Sequence, residues 1–125
     1  MNASVPAAER RKQRSTDPLV ALHYQLAHTR TRSAVEAIVL TDETGVVVAG
    51  AGAWVVCEEL AAYAPLFTQD EVPARVASLR ADCEVRQVTA NGQPMLLCAM
   101  GKQTARAEAA SDASAGVTRI LETAV

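Results

Sequence analysis

The sequence predicts a single α+β domain, a central antiparallel sheet of four to five strands flanked by helices in the order α-β-β-α-β-β-α. Three observations carry this expectation. Two pairs of apolar, strand-like runs each enclose a turn signal, Thr41-Asp42-Glu43-Thr44-Gly45 in the first pair and Asn91-Gly92 in the second. Stretches with helical spacing of apolar residues stand before, between and after these hairpins. The chain has 125 residues, the usual size of one domain and enough for a core without disulfides or metals.

The first helix starts sharply at Thr16-Asp17-Pro18, where Asp17 caps free backbone N–H groups and Pro18 suits the first turn. Leu19, Leu22 and Leu26 form its apolar stripe, widened by Val20 and Ala27. Arg30 and Arg32 near its end complement the negative end of the helix dipole. Ala37–Leu40 and Val46–Ala49 then form the first hairpin, apolar on both faces and therefore expected at the centre of the sheet. Gly50-Ala51-Gly52 breaks the strand. A helix from about Ala53 to Ala64 follows, with Val56, Leu60 and Ala64 on one face, Glu58 and Glu59 pointing away, and Pro65 at its end or at a kink.

Residues 65–82 are irregular, although Val72, Val76 and Leu79 have helical spacing and Pro73 can open a short helix. Cys83–Val88 alternates as a half-exposed strand does, and Met95–Met100 returns after Asn91-Gly92, with Pro94 at its start. The last helix covers about Thr104 to Thr123, with Ala113, Val117, Ile120 and Ala124 on one face and Gly116 marking a close helix contact. Residues 1–15 read as a flexible basic arm, leaving 16–125 as the domain.

Composition narrows the function. Hydrophobic residues make up 50% of the chain and charged residues 21%, which is globular. Aromatic residues are limited to Tyr24, Trp54, Tyr63 and Phe67, so Val, Leu, Ile and Ala must build the core. Ala-rich faces bury little area per residue, and such a domain gains from covering a face with a second copy. The arm is basic and the body acidic, which argues against nucleic acid as the main partner. No apolar run approaches a membrane span. The first residues lack the apolar core of a secretion signal, and Cys57, Cys83 and Cys98 are odd in number and widely spaced, so a cytoplasmic setting with reduced thiols is expected.

Catalytic patterns fail when tested. Gly50-Ala51-Gly52-Ala53-Trp54-Val55 has valine at the third glycine position of a dinucleotide loop. Gly101-Lys102-Gln103 lacks both the earlier glycine and the following Ser or Thr of a phosphate loop. His23 and His28 are five apart and do not share a helix face for a metal. Glu58 and Glu59 diverge by about 100° on a helix and cannot work as a pair. No catalytic, cofactor-binding or metal residue is expected, and the chain is read as a non-enzyme.

Several stretches resemble the roadblock (dynein light-chain-like) family. The likeness is carried by Ala34–Ala49 with its Asp-x-x-Gly turn, by Glu58–Ala64, by Met95–Gly101 and by Gly116–Leu121, and it runs from about residue 17 to 125. The family usually has five strands, whereas four are read here. The resemblance implies a symmetric homodimer joined through the second helix and an exposed strand, and a non-catalytic adaptor or regulator of a Ras-like small GTPase or a scaffold component. The matching surface residues are Trp54, Val55, Glu58, Glu59, Ala62 and Tyr63 on the helix and Glu84, Arg86 and Val88 on the strand, with Glu84 and Arg86 expected to pair across a two-fold axis. Arg86 and Arg119 are the weak candidates for an arginine finger. The alternative reading is a small GAF-like sensory domain that binds a metabolite in a pocket over the sheet.

Overall fold

The structure, a computed structural model, describes residues 17–123; the arm expected at 1–15 and the helix-face residue Ala124 lie outside the described residues. Four helices and four strands follow one another as α1 (Pro18–Ser33), β1 (Ala37–Asp42), β2 (Val47–Ala51), α2 (Trp54–Phe67), α3 (Ala74–Arg80), β3 (Cys83–Ala90), β4 (Gln93–Met100) and α4 (Gln103–Thr123). The strands form one antiparallel sheet in the order β2-β1-β4-β3. The architecture is the expected α+β one, with α3 as an additional short helix inside the irregular 65–82 stretch.

Two apolar layers sandwich the sheet. On one face, Ile38, Leu40 and Leu97 pack against Leu22 and Leu26 of α1 and Ala109, Ala113 and Val117 of α4. On the other, Ala37, Val39 and Cys98 meet Cys57, Leu60, Ala61, Ala64 and Phe67 of α2 and Val76 of α3. Small residues let the helices approach closely. The α1–α4 crossing is one such place, since a Cβ on Gly116 would collide with the Gln25 side chain. Beside it the buried Thr29 hydroxyl donates to Asp112 Oδ2 at 2.7 Å, so the one buried polar side chain of α1 is satisfied.

The start of α1 is as expected: Asp17 Oδ1 accepts from the Val20 amide at 3.3 Å, and Pro18 occupies the first turn. Its apolar stripe is narrower. Leu22 and Leu26 are buried, but Leu19, Val20 and Ala27 are exposed. The first hairpin is only half central. β1 is buried on both faces, whereas β2 is an outer strand that continues to Ala51 instead of stopping before Gly50. Gly50 pairs with Val39 inside that strand, and its lack of a side chain lets α2 approach, since a Cβ there would stand 3.2 Å from Cys57 Sγ.

Helix α2 runs through Pro65 to Phe67 rather than ending there. Proline removes the amide that would bond the Ala61 carbonyl. The β1–β2 turn packs against that carbonyl, and a Cβ on Gly45 would lie 3.1 Å from Ala61 O. The turn itself is organised by Asp42, whose Oδ1 accepts from the Thr44 amide at 2.8 Å, the Thr44 hydroxyl at 2.7 Å and the Val46 amide at 3.0 Å. In the second hairpin Asn91 and Gly92 both take positive φ, 54° and 76°, as a type I′ turn requires.

Two predictions follow from these turns. The hydrogen bonds from Thr44 and Val46 hold the Asp42 carboxyl below its ordinary pKa. A depressed carboxylate stabilises the fold at pH values above its ordinary range, and that contribution is lost as pH falls through the lowered value. Asp42→Asn is therefore expected to lower stability at neutral pH, with the gap to the native protein closing at acid pH in parallel urea titrations. Gly52 combines a φ of 113° with a Cβ position 2.8 Å from Glu36 O, whereas a Cβ on Gly92 would meet nothing within 4 Å. Gly52→Ala is expected to cost about 1–3 kcal/mol, and Gly92→Ala less, in the same urea measurement.

Candidate interaction surface

Helix α2 has two sharply different sides. Cys57, Leu60, Ala61, Ala64 and Phe67 face the sheet. Trp54, Val55, Glu58, Glu59 and Ala62, spaced by one and four residues, share the solvent side, and Tyr63 lies half-buried at its border. Trp54 is 53% exposed and Val55 77%. Both sit in the first turn, just after the Gly52 bend, so the helix starts with two apolar side chains in solvent. Val46 at the β1–β2 turn is also exposed. Tyr63 stacks on Phe67 with ring centroids 6.5 Å apart, and the ion pair between Glu59 and Arg75 is long, 3.9 Å, and solvent-exposed. Such a pair contributes little to stability and leaves both charges available.

The strand candidates lie elsewhere. β3 is an outer strand, paired on one side with β4. Val88 is only 3% exposed and packs in the layer beneath α1 and α4. This corrects the expectation that its side chain faces a partner. Strand alternation puts Glu84 and Arg86 on the same face as Val88. Arg86 Nε meets Glu84 Oε2 at 3.2 Å, and Arg86 Nη1 donates to Ser111 Oγ of α4 at 3.1 Å. Opposite charges two residues apart on one strand face satisfy each other, so the pairing expected across a two-fold axis is met within the chain. Glu84, Arg86 and Val88 therefore lie on the α4 side of the sheet and the α2 residues on the other. The β3 residues on the α2 side are the buried Cys83, Val85, packed in the same layer, and the exposed Gln87 and Thr89. Arg119, the other finger candidate, donates to Gln25 Oε1 at 3.3 Å.

The two outer strands are not equivalent. The His23 ring of α1 reaches the β2 edge, where Nδ1 lies 3.3 Å from Gly50 O and 3.4 Å from Gly50 N. It can donate to the carbonyl or accept from the amide, according to tautomer. Either way the ring covers backbone groups that β1 does not use. The sequence reading tested His23 only as a metal ligand, because its role at this edge depends on α1 lying along β2. Between the two elements runs a groove of about 470 Å³, lined by Val20, His23, Tyr24, Arg30 and Gly50–Gly52 among others.

The arrangement matches a solved structure. The chain of Myxococcus xanthus MglB superposes with a TM-score of 0.55 and 11% sequence identity, over 87% of this chain and 93% of that one. The fold is roadblock-like. No protein-family model and no curated protein matches the sequence. Four strands are present among the described residues, with α3 standing before β3. Among the described residues no helix is long and apolar enough to cross a membrane.

His23→Ala should leave the overall fold intact but bare the Gly50 backbone. The expected loss is about 0.5–1.5 kcal/mol, that of one net hydrogen bond. Faster amide hydrogen exchange at Gly50, with β1 protection retained, is the specific readout.

Proposed function

We propose that this chain is a non-catalytic, homodimeric protein-binding module that serves as an adaptor or regulator of a Ras-like small GTPase, or as a scaffold component, in the cytoplasm. The observation that carries the reading is the start of α2, where Trp54 and Val55 stand exposed on a helix whose opposite side seals the core. Tryptophan is over-represented at interface hot spots, and an apolar pair rimmed by Glu58 and Glu59 has the make-up of an interface centre with a charged border. The unequal strand edges add support. β2 is covered at Gly50 by His23, which leaves β3 as the strand better suited to pair with a second copy. Both faces of the sheet are filled by side chains from the chain's own helices, which favours this reading over a sensory pocket built on the sheet.

In this arrangement the partner's own residues carry out any GTP hydrolysis. Arg86 and Arg119, both engaged within the chain, serve structure. The module would act by holding a switch segment of the GTPase in place.

Size-exclusion chromatography with light scattering at micromolar concentration is expected to give twice the monomer mass. Val55→Glu, which puts a charge into the contact, is expected to weaken the dimer by about 2 kcal/mol or more, the scale of a hot spot, with an unchanged far-UV spectrum. A native protein that runs as a monomer sinks the dimer reading. Equal binding of a Ras-like GTPase from the same organism in its GDP and GTP-analogue states sinks the regulatory one.

A further inference from the structure

We propose that Cys83 and Cys98 form a peroxide-reactive dithiol that closes to a disulfide between β3 and β4. The strand register is the ground for this. Cys83 stands opposite Met100 and Val85 opposite Cys98, so the two cysteines are diagonal neighbours on adjacent strands. Both side chains lie on the α2 side of the sheet in one apolar layer. The two thiols shift each other's pKa in opposite directions, Cys83 down and Cys98 up. Diagonal partners stand farther apart than a relaxed disulfide spans, so closing the bond moves the first residue of β3 toward β4.

The two thiols are chemically unequal, as an attacking and a resolving cysteine must be. The hydrogen bond from Cys98 pushes the Cys83 thiol below its ordinary pKa, against its burial; the Asp82 carboxylate opposes this and the Arg106 guanidinium assists it. Cys98 is fully buried, and the same hydrogen bond together with burial pushes it up. Cys83 is 9% exposed at the end of the sheet. Its neighbours Asp82, Met100 and Arg106 line an open hollow of about 760 Å³ that Cys83 itself does not line, so a small oxidant reaches the thiol through its own narrow exposure. Cys57 belongs to the same layer but is committed elsewhere. Its thiol points to Ala51 O at 3.5 Å and Ile38 O at 3.9 Å, on the β2 side, and burial raises its pKa.

The chemistry balances with hydrogen peroxide as oxidant. The Cys83 thiolate attacks one peroxide oxygen, the O–O bond breaks, and hydroxide leaves and takes up a proton, which yields a sulfenic acid and water. The Cys98 sulfur attacks the sulfenic sulfur, the S–O bond breaks, and the Cys98 proton departs with the oxygen as a second water. The two sulfurs together lose two electrons, which the peroxide oxygens take up. A small-molecule thiol restores the pair by exchange. This inference rests on the strand register and stands apart from the dimer reading.

Tryptic mapping of the full chain tests it without any variant. Trypsin cuts after Arg80, Arg86 and Lys102, so Cys83 falls in peptide 81–86 and Cys98 in peptide 87–102. After peroxide treatment and alkylation under denaturing conditions, the native protein should lose two of its three alkylatable thiols and yield these two peptides joined, lighter by two hydrogens. Reduction should restore both. Cys98→Ser, whose hydroxyl keeps a hydrogen-bond donor beside Cys83, should leave Cys83 as a sulfenic acid trapped by dimedone, and Cys57→Ala should keep the linked peptides. A link to Cys57, a link between two chains, or three thiols still alkylatable after peroxide would each overturn the proposal.

Discussion

Strands β1 and β4 exchange their ladder from Ala37 opposite Met100 to Asp42 opposite Met95, and both are covered by helices on either face. Ile38, Val39, Leu40, Leu97 and Cys98 have no solvent exposure. A fully buried aliphatic side chain of this size contributes about 1.5–3 kcal/mol, so this pair concentrates the burial of both layers in two strands. Every other element is placed relative to it. α1 and α4 cover one side, α2 and α3 the other, and β2 and β3 become outer strands because the central positions are taken.

That position makes the outer strands the places where the fold meets its surroundings. A free edge presents backbone donors and acceptors that a second chain can use. β2 carries a local cover, the His23 ring over Gly50, and a bulge between its pairs Leu40–Ala49 and Thr41–Val47. β3 keeps its core contacts through Val88 and Ala90 on the α4 side and through Cys83 and Val85 on the α2 side. The result is an asymmetric sheet, with a guarded edge beside α1 and a more open one near α3.

The α2 helix shows how a residue that usually ends a helix is accommodated. Pro65 frees the Ala61 carbonyl, and the tight β1–β2 turn, shaped by Asp42 and Gly45, closes over it. Helix and turn thus depend on each other. The same close packing, with Gly50 against Cys57, seats the far end of β2 on α2 and leaves Trp54 and Val55 projecting from the first turn.

Much of this was legible in the residues themselves. Asp17 and Pro18 announced α1, Asp42 to Gly45 and Asn91-Gly92 announced the two hairpins, and Val72, Val76 and Leu79 hinted at α3, because these signals act within a few residues of chain. The exposed side of α2 was legible too, since period 3.6 separates Cys57, Leu60 and Ala64 from Val55, Glu58, Glu59 and Ala62. Tertiary structure alone decided which hairpin strand is central, how far β2 and α2 extend, and which face of β3 points to α4. Glu84, Arg86 and Val88 alternate in the sequence whichever layer they face; only the docking of α4 across β3 fixes their side, buries Val88 and turns Arg86 toward Ser111. Local chemistry sets the elements, while burial between layers, a property of pairs far apart in the chain, sets their extent and their parity.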